Sequence, residues 1–90
     1  MNKAIITVVG KDTIGILAKV CTYLAENKMN ILDITQSVVQ GYFNMMMIVD
    51  ISVASKTVGE AVTDFNAIGE TMGLQIKFQK SEIFEKMHRV

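Results

Sequence analysis

From Phe43 to Val53 every second residue is apolar: Phe43, Met45, Met47, Val49, Ile51 and Val53. Asn44, Asp50 and Ser52 point the other way, joined by Met46 and Ile48, so the second face is only partly polar. A period of two over this length predicts a strand with one face in a core. Residues 4–9, Ala-Ile-Ile-Thr-Val-Val, are β-branched and apolar on both faces and stop at Gly10, which predicts a central strand. Residues 30–40 read as a strand of mixed alternation, and Gln40-Gly41 supplies a tight turn into the strand beyond. Residues 74–79, Leu-Gln-Ile-Lys-Phe-Gln, alternate cleanly and predict a last strand.

Two stretches change period. Ile14, Leu17, Ala18, Cys21, Leu24 and Ala25 recur at helical spacing and predict a helix with one buried stripe, fading near Asn27-Lys28. Lys19, Thr22, Glu26 and Lys28 fall on its wet side, and Tyr23 lies off the stripe as a candidate interface residue. Val58, Ala61, Val62, Phe65, Gly69 and Met72 make the second stripe. Thr57 with Glu60 three residues later fits a capping box at its start, Ser55 being a competing cap, and Gly73 suits its end. Beyond residue 80, Ile83, Phe84 and Met87 sit at helical spacing and predict a short amphipathic C-terminal helix. The boundaries are thus a domain over 1–80 and a tail over 81–90.

The order is strand, helix, strand, strand, helix, strand. Each helix has a single apolar stripe, so both must cover one face of one sheet. Interleaving the halves gives an α+β, ferredoxin-like βαββαβ sandwich whose four-stranded antiparallel sheet has the order 4-1-3-2. The most apolar strands, first and third, then lie in the middle. The fourth strand carries Lys77 and ends at Lys80, charges that discourage edge pairing, whereas Ile31 to Gly41 holds only Asp33. That unprotected edge predicts a two-fold homodimer through the second strands and the helix surfaces around them.

Composition narrows the functions. Nine Lys+Arg balance nine Asp+Glu in 90 residues, so the basic excess of a nucleic-acid binder is missing. One cysteine leaves no internal disulfide and no multi-cysteine zinc site, and His88 has no second ligand near it in sequence. The N-terminus does not read as a signal peptide and no apolar run is long enough to span a bilayer, so the expectation is a cytoplasmic protein off the membrane. No nucleophile is paired with a histidine base, and no cofactor or metal motif is present. Cys21, on the apolar stripe, reads as a buried structural thiol.

The candidate chemistry lies where the first strand turns into the first helix, at Gly10-Lys11-Asp12-Thr13-Ile14-Gly15-Ile16-Leu17. A helix N-terminus leaves backbone N–H groups without intrahelical partners and carries about half a positive charge, a seat for a carboxylate. Gly15 would let a ligand approach the backbone, and Asp12 stands beside the seat. The plainer readings are a tight turn with close packing at Gly10 and Gly15, and Asp12 as a helix cap.

This stretch, together with Leu24-Ala25-Glu26-Asn27-Lys28-Met29-Asn30-Ile31, resembles the ACT-domain family, whose pattern is a strand, G-x-D-x-x-G-I/L, a helix, and Asn-Ile opening the second strand. Ile14 replaces the family's commoner proline. The resemblance spans about residues 3–80, and the tail is similar to that of small stand-alone ACT proteins of bacteria and archaea. It implies a non-catalytic regulatory module that binds a small molecule, usually an amino acid, at a subunit interface. It also implies contacts through Asp12, Asn30 and the backbone from Lys11 to Leu17. Asp12 could hold an ammonium, the helix amides a carboxylate, and Asn30 could donate and accept.

Three rivals share the topology. Acylphosphatases need an arginine in the first turn, but the only arginine is Arg89; copper chaperones need a C-x-x-C that is absent. Gln40-Gly41-Tyr42-Phe43-Asn44-Met45 faintly echoes an RNA-recognition signature, but Phe43 turns inward and Asn44 replaces a stacking aromatic. A protein-interaction module without ligand is the remaining alternative, with Met46, Ile48, Ile83, Phe84 and Met87 as its surface. The expectation preferred here is that the tail folds over the open face of the sheet.

Overall fold

The computed structural model of the chain describes residues 2–11 and 15–81. The elements run β1 (Lys3–Lys11), α1 (Ile16–Glu26), β2 (Asn30–Val39), β3 (Tyr42–Asp50), α2 (Val58–Met72) and β4 (Gln75–Lys80). The strands form one antiparallel sheet in the order β2-β3-β1-β4, so the interleaved ferredoxin-like arrangement holds. The predicted tail helix, with Ile83, Phe84 and Met87, lies outside the described residues.

One side of the sheet meets both helices. Ala4, Ile6 and Val8 of β1, Met45, Met47 and Val49 of β3, and Ile76 and Phe78 of β4 are buried beneath Ile16, Val20, Tyr23 and Leu24 of α1 and Ala61 and Phe65 of α2. Phe65 is the hub: its ring is tilted against Tyr23 at 4.6 Å and stacked on Phe78 at 5.6 Å. α2 begins and ends as its sequence dictates. The Thr57 hydroxyl accepts from Glu60 N–H while the Glu60 carboxylate accepts from Thr57 N–H, completing the capping box. At the other end Gly73 takes φ 70°, and Leu74 N–H reaches back to the Gly69 carbonyl at 2.8 Å, closing a Schellman turn.

Three expectations need correction. The strand from Phe43 does not reach Ile51 and Val53; it ends at Asp50. There the Asp50 carboxylate accepts from both the backbone N–H and the hydroxyl of Ser52, at 2.9 and 2.6 Å, a local turn that competes with the ladder. The second correction concerns α1. Its core stripe is Ile16, Val20, Tyr23 and Leu24, whereas Leu17, Ala18 and Ala25 are exposed. Both stripes have helical spacing and share Leu24; the one with more apolar area to bury turns inward. Tyr23 is therefore a core residue, 9% exposed, and not an interface residue. Third, Cys21 is only half-buried, at the margin of the core.

The mixed alternation of β2 has a structural cause. A bulge between Ile31 and Asp33 puts Ile31 opposite Val49 and Ile34 opposite Met47, both on the helix side, although they are three residues apart. Even so, every residue of β2 is exposed. Val38 and Val39 keep 55% and 60% of their surface, and Ile31, Leu32 and Ile34 are similarly open. β2 is an edge strand, and among the described residues no strand pairs with its outer edge.

Candidate functional site

The junction between β1 and α1 is built from two glycines with different tasks. Gly10 pairs with Phe43 near the end of the ladder. A Cβ placed on it would lie 2.3 Å from Leu74 Cδ2 and 3.3 Å from Leu74 Cα, so this glycine is required by packing. Gly15 has φ 89°, a left-handed conformation that a residue with a Cβ resists, and among the described residues nothing stands within 4 Å of its missing Cβ. It is the N-cap of α1, and its carbonyl accepts the first helical bond from Lys19 N–H at 2.9 Å. Ile16 anchors the first turn in the core, and Leu17 faces outward.

The two helix starts differ in their electrostatics. α2 satisfies its first amides with Thr57 and has Glu60 in its first turn; the Thr57 backbone bond holds the Glu60 carboxyl below its ordinary range. α1 has a glycine at the cap and no acidic residue in its first turn. Its positive end is left to whatever the preceding turn or a ligand supplies. Of the candidate residues, Gly10, Lys11, Gly15, Ile16 and Leu17 are gathered at this one end of the sheet; Asp12, Thr13 and Ile14 lie outside the described residues.

Asn30 is not there. It opens β2 opposite Asp50, which is itself level with Lys3, at the far end of the strands from Gly10 and Lys11. Seven residues along β1 separate the two levels, roughly 23 Å at the usual rise of an extended strand. A single chain therefore does not bring Asn30 to the turn.

Sequence reading missed a second polar cluster. The Tyr23 hydroxyl donates to Asp64 Oδ2 at 2.7 Å, tying α1 to α2, and Lys56 Nζ donates to the same oxygen. The Lys56 ammonium also stands 5.4 Å from the centre of the Tyr23 ring. Burial, then the bond to Asp64, pushes the Tyr23 hydroxyl above the ordinary phenol range, while Lys56 and then Tyr23 hold the Asp64 carboxyl low. At neutral pH the cluster is a satisfied neutral phenol and an ion pair, so it is a staple between the helices. The available signal was Tyr23 at the spacing of Ile16, Val20 and Leu24: a tyrosine on a buried stripe needs a partner for its hydroxyl. Among the described residues no group of His, Cys, Asp and Glu could hold a metal ion, and no helix is long and apolar enough to cross a membrane.

Comparison with known proteins places this geometry. Residues 2–79 match the family description "ACT domain". A UPF0237 protein of Bifidobacterium longum is 56% identical over 90 residues, the whole of both chains. The solved ACT domain protein of Streptococcus pneumoniae superimposes with a TM-score of 0.81 at 44% identity, covering 93% of this chain and 94% of that one. The regulatory subunit of aspartate kinase from Thermus thermophilus gives a TM-score of 0.64 at 25% identity, over 87% of this chain and 50% of that one. Family and fold match regulatory ACT-domain proteins, consistent with a non-catalytic role. The chain belongs to the ACT-domain family and is related to the bacterial UPF0237 proteins.

Proposed function

We propose that this protein is a non-catalytic regulatory module that binds a small molecule of the amino-acid class at the start of α1, acting as a homodimer. One observation carries the ligand reading: α1 begins on a bare glycine cap, whereas α2 spends Thr57 and Glu60 on its own amides. A carboxylate is the natural complement of such an end. Asp12, from the family pattern, would take the ammonium. The regulatory subunit of aspartate kinase supports the regulatory class by likeness of fold.

The dimer reading rests on β2, exposed along its whole length with an edge that no described strand pairs, and on the outward stripe Leu17, Ala18 and Ala25 of α1. Antiparallel pairing of two β2 edges would set the Asn30 end of one chain beside the Gly10–Leu17 end of the other. The distant Asn30 would then complete a site across the two-fold. A pure interaction module without ligand is favoured by the same exposed surface, and one experiment separates the two. Thermal melts are recorded with each proteinogenic amino acid at millimolar concentration, alongside sedimentation at micromolar protein. A ligand at a hundred times its Kd adds ~2.7 kcal/mol, on the order of 10 °C here, and Asp12→Ala or Asn30→Ala should abolish most of that shift. Flat melts with a dimeric mass would favour the interaction module; a monomeric mass would remove the shared site.

A further inference from the structure

We draw no further inference here: the strongest candidate, a groove of about 280 Å³ between α1 and α2 lined by Lys19, Glu26, Lys56 and Asp64, shares Lys56 and Asp64 with the staple already described, and nothing in the structure shows what would occupy the rest of it.

Discussion

Alanine at residue 10 separates the two readings of the glycine that precedes the turn. Its Cβ would meet Leu74 Cδ2 at 2.3 Å, Cγ at 3.4 Å and Cα at 3.3 Å. A rotamer change can move the side-chain atoms but not the backbone carbon, and the backbone there has little freedom. Leu74 N–H is bonded to the Gly69 carbonyl, and Gly69 itself approaches the Leu74 carbonyl so closely that a Cβ would lie 2.6 Å away. Overpacking of this kind costs about 1–3 kcal/mol, which in a domain of this size lowers Tm by roughly 5–20 °C. Leu74→Ala alone should cost about 2–5 kcal/mol, because Leu74 is 8% exposed and leaves a cavity.

The double variant distinguishes a clash from a general weakening. Truncating Leu74 removes Cγ and Cδ2 and leaves the new methyl group facing only the backbone of residue 74, so Gly10→Ala should become cheaper in that background. Urea denaturation of the four proteins should show the double variant more stable than the sum of the singles by ~1–2 kcal/mol, with unchanged m-values. Additivity within about 0.5 kcal/mol would refute the packing account. So would a Gly10→Ala protein of unaltered stability that had lost its response to an amino acid, since the glycine would then serve ligand approach.

Tyr23→Phe keeps the ring against Phe65 but removes the donor to Asp64, and should cost about 1–2 kcal/mol in denaturant melts. Folded Tyr23 has a raised pKa, so the stability it contributes is complete below about pH 10 and is lost as pH rises further; Tyr23→Phe should flatten that alkaline limb. In acid the sign reverses. Asp64 is lowered by Lys56 and Tyr23, Glu60 by Thr57 and Asp50 by Ser52, so their contribution is present above the ordinary carboxylate range. It should fall as pH drops below about 4, and a Tm that stayed constant there would contradict it. Thr57→Ala breaks the capping box and should cost about 1 kcal/mol, measurable as a lowered urea midpoint.

Where a local signal was complete in itself, the sequence was legible. Thr57 and Glu60 form the capping box, Gly73 ends α2, and Val39 pairs with Tyr42 across the two-residue turn Gln40-Gly41. Where two signals competed, pattern alone could not rank them. Alternation ran on through Ile51 and Val53, but Asp50 holds Ser52 two residues ahead in a local turn, and the strand ends at Asp50. In α1 two stripes shared Leu24, and the choice fell to buried area, which depends on the partner surface of β1 and β3. The Tyr23–Asp64–Lys56 cluster joins residues 41 and 8 positions apart, and no local spacing encodes it. For the candidate site, the glycines were legible as a turn but not as different: one is fixed by Leu74, the other by φ.

The position of Asn30 changes what the turn can be in isolation. Its level on the sheet is fixed by Asp50 and Lys3, and strand rigidity keeps it roughly 23 Å from Gly10 in the same chain. A ligand touching both the α1 start and an Asn30 must therefore touch two chains. Association and ligand binding then become linked equilibria: the occupied site exists only in the dimer, so ligand must strengthen the dimer by the same factor that dimerisation strengthens ligand binding. The exposed β2 gives this coupling its range. An interface of free strand edge and open apolar side chains can hold weakly without ligand and more tightly with it. The melting temperature of the ligand-bound protein should then rise with protein concentration as well as with ligand, whereas a one-chain site would respond to ligand alone.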